Sequence, residues 1–323
     1  MSAHVSASTR RGVRTVFWSV AVLAISVGPL PAQAAPLYFA DIFNPTYGDG
    51  SIRRVNTDGT GLATVLTVGG GLRGLDVDPG GSKMYWTDVN NYVIRRANLD
   101  GSGVQDLITS GLEFPFGIRV DPAGGKMYWG DQLANSLSRA NLDGSNQELM
   151  RSTPFHWGVA VDHAGGKVYW STSQSMFKGQ ILRSNLDGTN LETVVTSLDS
   201  EFKPANIALD LAAGKIYWTD YVVDVVRRAN LDGTDIQDLY IAAPNHNPRA
   251  IALDLSAGKL YWGQDLEVSG NTGAIMRMNL DGSSPETLIS GLGLVQDIAL
   301  IPEPATVGLL VIAGLAATRR QLR

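Results

Sequence analysis

Hydrophobic and polar positions alternate along most of the chain in short runs, and clusters of Gly, Asp, Asn and Pro separate the runs. Alternation with a period of two predicts half-buried strands, and Asp-Gly or Pro-x-Gly-Gly punctuation predicts tight turns between them. Four kinds of run recur in a fixed order. The first ends in aspartate: Gly74-Leu75-Asp76-Val77-Asp78, with counterparts ending at Asp121, Asp162, Asp210 and Asp254. The second is Lys83-Met84-Tyr85-Trp86-Thr87-Asp88, repeated as Tyr128-Trp129-Gly130-Asp131, Tyr169-Trp170-Ser171-Thr172, Tyr217-Trp218-Thr219-Asp220 and Tyr261-Trp262-Gly263-Gln264. The tryptophans of this second run lie 43, 41, 48 and 44 residues apart, and a degenerate copy, Tyr38-Phe39-Ala40-Asp41, begins 47 residues before Tyr85. The third run carries an arginine and leads into an Asp-Gly turn at Asp58, Asp100, Asp143, Asp187, Asp232 and Asp281. A short fourth run, such as Val104 to Thr109 or Leu191 to Thr196, completes the unit.

Four strands in each of six such periods predict an all-β protein, a six-bladed β-propeller of four-stranded antiparallel blades with strands A to D from the axis outward. The repeats resemble the YWTD, or class B, repeats of the low-density-lipoprotein receptor family, over Leu37 to Ile301; Phe39-Ala40, Thr172 and Gln264 depart from that pattern. The resemblance implies a six-bladed propeller and a ligand-binding module whose partner docks on one face. The chain enters at a B run, Pro36 to Asp41, and its last run, Val295 to Leu300, is of the A kind. The last strand is therefore predicted to complete the first blade and remove the exposed edges of an open ring.

Strand parity puts Tyr85 and Thr87 on one face and Trp86 and Asp88 on the other, so the aromatics are predicted to fill the wedges between blades. The recurring Arg54, Arg96, Arg139, Arg183, Arg228 and Arg277 are expected to meet the B-strand aspartates across the hairpin, as Asp88 with Arg96, Asp131 with Arg139 and Asp220 with Arg228. The Asn-x-Asp-Gly turns and the terminal aspartates match turn and cap chemistry, so no metal site is assigned to them. Asp76 and Arg119 are the only charges in the middle of the A runs, and an ion pair between neighbouring blades is expected.

A to B and C to D turns share one face and are short and uniform. B to C and D to A loops share the other, and the interval from the acid position to the arginine there is eight residues in three blades, eleven after Thr172 and thirteen after Asp41 and Gln264. Variable insertions of this kind mark the binding side of repeat arrays. Tyr92, Phe116, His156, Trp157, Asn206, Tyr221, Arg249 and Gln296 are accordingly the candidate recognition residues, since aromatics with Arg around a central depression have the composition of an interface hot spot. Trp157 is the one tryptophan of residues 35–301 outside the repeats, and it serves either as an anchor or as a plug over the axial channel.

Composition narrows the partners. Of 26 Lys and Arg, six lie in the two termini (three at each), which leaves 20 against 31 Asp and Glu and weighs against nucleic acid. There is no cysteine, hence no disulfide, Cys-based zinc site or thiol chemistry. Arg10, Arg11 and Arg14, the apolar run Val16 to Val27 and Ala32-Gln33-Ala34 predict a signal peptide over residues 1–34, removed by signal peptidase. Ile301-Pro302-Glu303-Pro304, the apolar Val307 to Ala317 and a terminus with three arginines resemble a PEP-CTERM sorting signal over residues 302–323. That resemblance implies a bacterial exosortase substrate, held transiently in the inner membrane by its tail and then released to the cell surface or extracellular matrix. The expected function is an exported, non-catalytic module that binds an extracellular protein or polysaccharide and needs no cofactor. The alternative is a six-bladed hydrolase of the lactonase kind, or a sugar dehydrogenase, with an axial metal or cofactor; the sequence offers neither a Gly-x-Ser-x-Gly elbow nor a His-x-x-x-His pair for it.

Overall fold

The computed structural model describes residues 34–44, 49–69, 71–154, 157–172, 179–196, 202–264 and 273–302. The expected signal peptide and sorting signal, and His156 among the candidate site residues, lie outside them. Among the described residues there are six four-stranded antiparallel sheets and no helix. In blade 2, strands A to D are Leu72–Asp78, Lys83–Asp88, Val93–Asn98 and Gln105–Ile108, and blades 3 to 6 repeat this order along the chain.

Blade 1 is assembled from both ends of the described chain, as the sequence predicts. Its strand A is Leu294–Leu300, which runs antiparallel to strand B, Pro36–Asn44, with Leu37 opposite Leu300 and Phe39 opposite Ile298. Strands C (Asp49–Asn56) and D (Ala63–Gly69) follow outward. The ring is thereby closed by main-chain pairing rather than by loose contact.

The wedge between successive blades is filled by the Tyr of one and the Trp of the next. Tyr85 packs with Trp129, Tyr128 with Trp170, Tyr169 with Trp218 and Tyr217 with Trp262, each pair within one buried cluster. Tyr38 with Trp86 and Tyr261 with Phe39 complete the circle, so the degenerate first copy keeps its packing role. All five repeat tryptophans are fully buried. Their even spacing around the ring is a matter of strand parity: Tyr and Trp are adjacent in sequence and therefore face opposite wedges.

The recurring arginines do not pair with the B-strand aspartates as expected. Arg96 lies opposite Tyr85 in the hairpin and Arg95 opposite Trp86, so it is Arg95 that shares a face with Asp88 and reaches it at 2.7 Å. The same shift by one residue gives Arg53 with Asp41 at 2.7 Å and Arg227 with Asp220 at 3.4 Å. In blade 3 Ser138 stands at that position, and Asp131 instead accepts the backbone N–H groups of Glu113, Phe114 and Ala134.

Five of the six recurring arginines are inter-blade latches. Arg96 donates to the carbonyl of Leu142, Arg139 to Leu186, Arg183 to Leu231, Arg228 to Leu280 and Arg277 to Thr57, in each case at the Asp-Gly turn of the next blade. Those turns are built the same way in all six blades: the aspartate accepts the N–H and hydroxyl of the Ser or Thr two residues on, as Asp100 does from Ser102. Gly101 and Gly233 are needed twice over, for φ values of 86° and 83° and because a Cβ would lie 2.4 and 1.7 Å from the Val65 and Val194 carbonyls of the preceding blades. The terminal aspartates cap the A to B turns, for example Asp78 accepting the Gly81 N–H at 2.9 Å.

Candidate functional site

The six A strands line the axis, and equivalent positions along them form stacked rings. At the variable-loop end the outermost ring is Arg73, Phe116, Trp157, Ala205, Arg249 and Gln296. The next ring inward is Gly74, Gly117, Gly158, Asn206, Ala250 and Asp297. Because the other members are Gly or Ala, the two polar side chains of this second ring meet inside the ring, where Asn206 Nδ2 donates to Asp297 Oδ1 at 2.8 Å. Below it come Asp76 and Arg119 and four alanines, 160, 208, 252 and 299.

Four members of the outer ring, with Tyr221 from the B to C turn of blade 5, form a chain of aromatic and cationic contacts. Phe116 and Trp157 have ring centroids 5.5 Å apart, and Trp157 and Tyr221 are 4.5 Å apart. The Arg249 guanidinium lies 5.2 Å from the Trp157 ring and 5.8 Å from Tyr221, and Arg73 lies 5.8 Å from Phe116, distances at which a cation is attracted to a ring face. Beneath this layer, bounded by Arg73, Phe116, Trp157, Asn206, Arg249 and Asp297, is a cavity of about 10 Å³, room for a single water. Trp157 bounds this cavity and its side chain is half-buried.

Of the expected recognition residues, the structure gathers Phe116, Trp157, Asn206, Tyr221, Arg249 and Gln296 at this mouth. Tyr92 is exposed in the B to C turn of blade 2 and makes no ring contact with them. It does hold φ at 54°, where blades 3 and 5 place Asn135 and Asp224, an uncommon conformation for a tyrosine. The sequence reading missed Arg73, although its place directly before Gly74, matching Phe116 before Gly117, was open to inspection. Burial and the charge of Arg249 both push the Arg73 guanidinium's pKa down.

The third residue of the Tyr-Trp-x-x motif positions the mouth. Thr87 Oγ1 accepts the Gly74 N–H at 2.8 Å and donates to the Phe116 carbonyl at 2.6 Å. Ser171 bridges Gly158 to the Ala205 carbonyl, and Thr219 bridges Asn206 to the Arg249 carbonyl. In these three hairpins one hydroxyl ties its own A strand to the next at the height of the recognition ring, whereas Ala40, Gly130 and Gly263 stand at that position in the other three; the bridges join Gly74 to Phe116, Gly158 to Ala205 and Asn206 to Arg249.

Two buried aspartates are held well above the ordinary carboxylate value of 3.8. Burial pushes Asp220 up to about 6 despite the opposing charge of Arg227, and pushes Asp297 up to about 6 despite Arg119 and two backbone donors. Between pH 3.8 and 6 the folded protein retains protons that the unfolded chain has released, so this contribution to stability is complete at low pH and is lost as pH rises through 6. Asp297→Asn preserves the shape and removes the titration. Its unfolding free energy is expected to vary less between pH 4 and 7 than that of the unaltered protein, by on the order of 2 kcal/mol, in urea titrations across that range. An unchanged pH profile would show that Asp297 titrates normally.

Among the described residues no group of three His, Asp or Glu side chains converges to hold a metal ion, and the mouth contains a single carboxylate. Rings, latches and closure together define the protein as a six-bladed β-propeller of Tyr-Trp repeats whose axis is sealed at one end by an aromatic and cationic layer. Residues 82–122 match the low-density lipoprotein receptor repeat class B. The chain is similar to the human low-density lipoprotein receptor-related protein 5-like protein, with 30% identity over 156 residues, 48% of this chain and 61% of that protein. It is also similar to mouse low-density lipoprotein receptor-related protein 5, with 41% identity over 187 residues, 57% of this chain but 11% of that protein. The chain thus spans less than two thirds of each of these relatives. A chain in the crystal structure of the nidogen/laminin complex shares the fold, with a TM-score of 0.70 at 21% identity over 83% of this chain and 98% of that one.

Proposed function

We propose that the protein is an exported, non-catalytic binding module that recognises an extracellular protein or polysaccharide through the variable-loop mouth of the propeller. The observation that carries this reading is the layer formed by Arg73, Phe116, Trp157, Tyr221 and Arg249, in which two guanidinium groups and three rings are held together at one end of the axis. Rigid aromatic and Arg side chains in a supported ring lose little entropy on binding and form the hot spots of interfaces. Similarity to receptor-related proteins supports the same class of function. Among the described residues the mouth offers the enzymatic alternative one carboxylate and a cavity of about 10 Å³, which favours surface recognition over catalysis. Export and final release to the bacterial cell surface or matrix belong to the same proposal, with signal peptidase and exosortase acting on the two ends.

The test is capture from the extracellular fraction of the producing cells with immobilised protein, followed by affinity measurement on the captured ligand. Trp157→Ala and Arg249→Ala are each expected to weaken binding by about tenfold or more, as hot-spot truncations do, measured on variants whose circular dichroism shows them folded at the assay temperature. Binding that survives both substitutions, or that is lost only on altering the opposite face, would move the recognition surface elsewhere.

A further inference from the structure

At the other end of the axis, on the face of short uniform turns, the channel widens into a cavity of about 250 Å³. Its cause is the third ring: where Asp76 and Arg119 stand in blades 2 and 3, blades 4, 5, 6 and 1 carry alanine, and the space their side chains leave is walled by aliphatic groups such as Ile207, Leu209, Ile251 and Leu253. Leu211 and Leu255, at the rim, are 41% and 48% exposed, where the equivalent turn positions of blades 2 to 4 are Pro79, Pro122 and His163.

Asp76 and Arg119 are the charged residues of the cavity's lining, and Asp297, in the ring above, makes the buried charge cluster at its inner end net negative. Two carboxylates, Asp76 and Asp297, share Arg119, at 3.6 and 3.8 Å, both longer than a hydrogen bond. Asp297 is otherwise well served, accepting from Asn206 Nδ2 at 2.8 Å, Leu75 N–H at 3.0 Å and Ile298 N–H at 2.9 Å. Asp76 lines the cavity, accepts at 2.8 Å from the Val120 N–H and also from the Val77 N–H, and its side chain keeps 15% exposure. A carboxylate in an aliphatic enclosure, held by two backbone N–H groups and a shared guanidinium, remains costly unless a cation or donor approaches from the open side. We infer that this cavity is a second binding site, for a small aliphatic amine whose ammonium group pairs with Asp76 and whose alkyl chain lies along the leucine and isoleucine wall. It lies at the opposite end of the axis from the proposed recognition mouth and does not depend on it.

The probes are hexylamine, hexan-1-ol and hexanoate, titrated into the full protein at pH 7.5 and followed by calorimetry or by chemical shifts of the wall methyl groups. Hexylamine is expected to bind about tenfold or more tightly than the other two, because only it offers a charge-assisted hydrogen bond to Asp76. Asp76→Asn is expected to bring hexylamine down to the level of hexanol, and Ala208→Leu, which fills the wall without touching the charges, to abolish binding of all three. Trp157→Ala should leave hexylamine binding unchanged. A peptide with one lysine serves as a further arm: binding of the peptide without hexylamine would assign the site to a partner's side chain and overturn the small-amine reading. Equal affinity for the three probes, no binding of hexylamine, or hexylamine affinity that is the same in Asp76→Asn would overturn it as well.

Discussion

A chain that ends at Leu292 is expected not to fold, whereas one that ends at Pro302 folds as the full chain does. The difference between them is strand A of blade 1, Leu294–Leu300. Its removal unpairs strand B from Leu37 to Ile42 and exposes Leu37 and Phe39, which are fully buried. Val295 and Ile298 leave a cluster that also contains Tyr261, Ala250 and Ala252 of the last blade, so the wedge that joins the end of the ring to its beginning is emptied. Asp297, which ties Leu75 of blade 2 to Asn206 of blade 5, goes with it. These losses together exceed the roughly 5–15 kcal/mol by which domains are stable. Circular dichroism and size exclusion on the two truncated chains decide the matter; a compact, cooperatively melting product from the shorter chain would mean that closure contributes little.

Trp218→Ala is expected to destabilise the protein by about 3–5 kcal/mol, the range for truncating a large buried aromatic. The side chain is fully buried, meets Phe202 edge-on at 6.4 Å and shares a cluster with Tyr169 of the preceding blade. Its Nε1 proton has no acceptor among the described residues, so area and shape alone hold it in place. Trp218→Phe should therefore cost much less than Trp218→Ala, since no hydrogen bond is lost and most of the wedge stays filled. Denaturant titrations of both variants measure the two values, and equal losses would indicate that something other than volume is at stake.

The blades were legible because each is a local object. Strand alternation, Asp-Gly turns and the Tyr-Trp hairpin are encoded within some 45 residues, and the same code is written six times. Parity together with the hairpin register corrects the arginine pairing: Asp88 and Trp86 share a face, and the residue opposite Trp86 is Arg95, not Arg96. The candidate site was legible at the level of its loops. Trp157, Phe116 and Arg249 stand out as aromatics and charges that do not repeat. Arg73 was overlooked because it sits in an alternating run whose ends do not reveal which residue reaches the mouth.

What the sequence by itself determined is the unit and its count, the turn chemistry, the tyrosine and tryptophan wedges and the closing of the first blade by the last strand. All of these follow from period, parity and turn residues, which act over neighbouring positions. Only the tertiary structure decided what meets at the axis, because those contacts join residues far apart in the chain that share nothing but height along it. Asn206 reaches Asp297, 91 residues away, since Gly and Ala fill the rest of their ring. Arg119 is shared between two blades, and four alanines open a cavity on the face whose turns look least informative. Side-chain volume summed around a closed ring has no signature along a single strand, and it sets where the axis is sealed and where it is hollow.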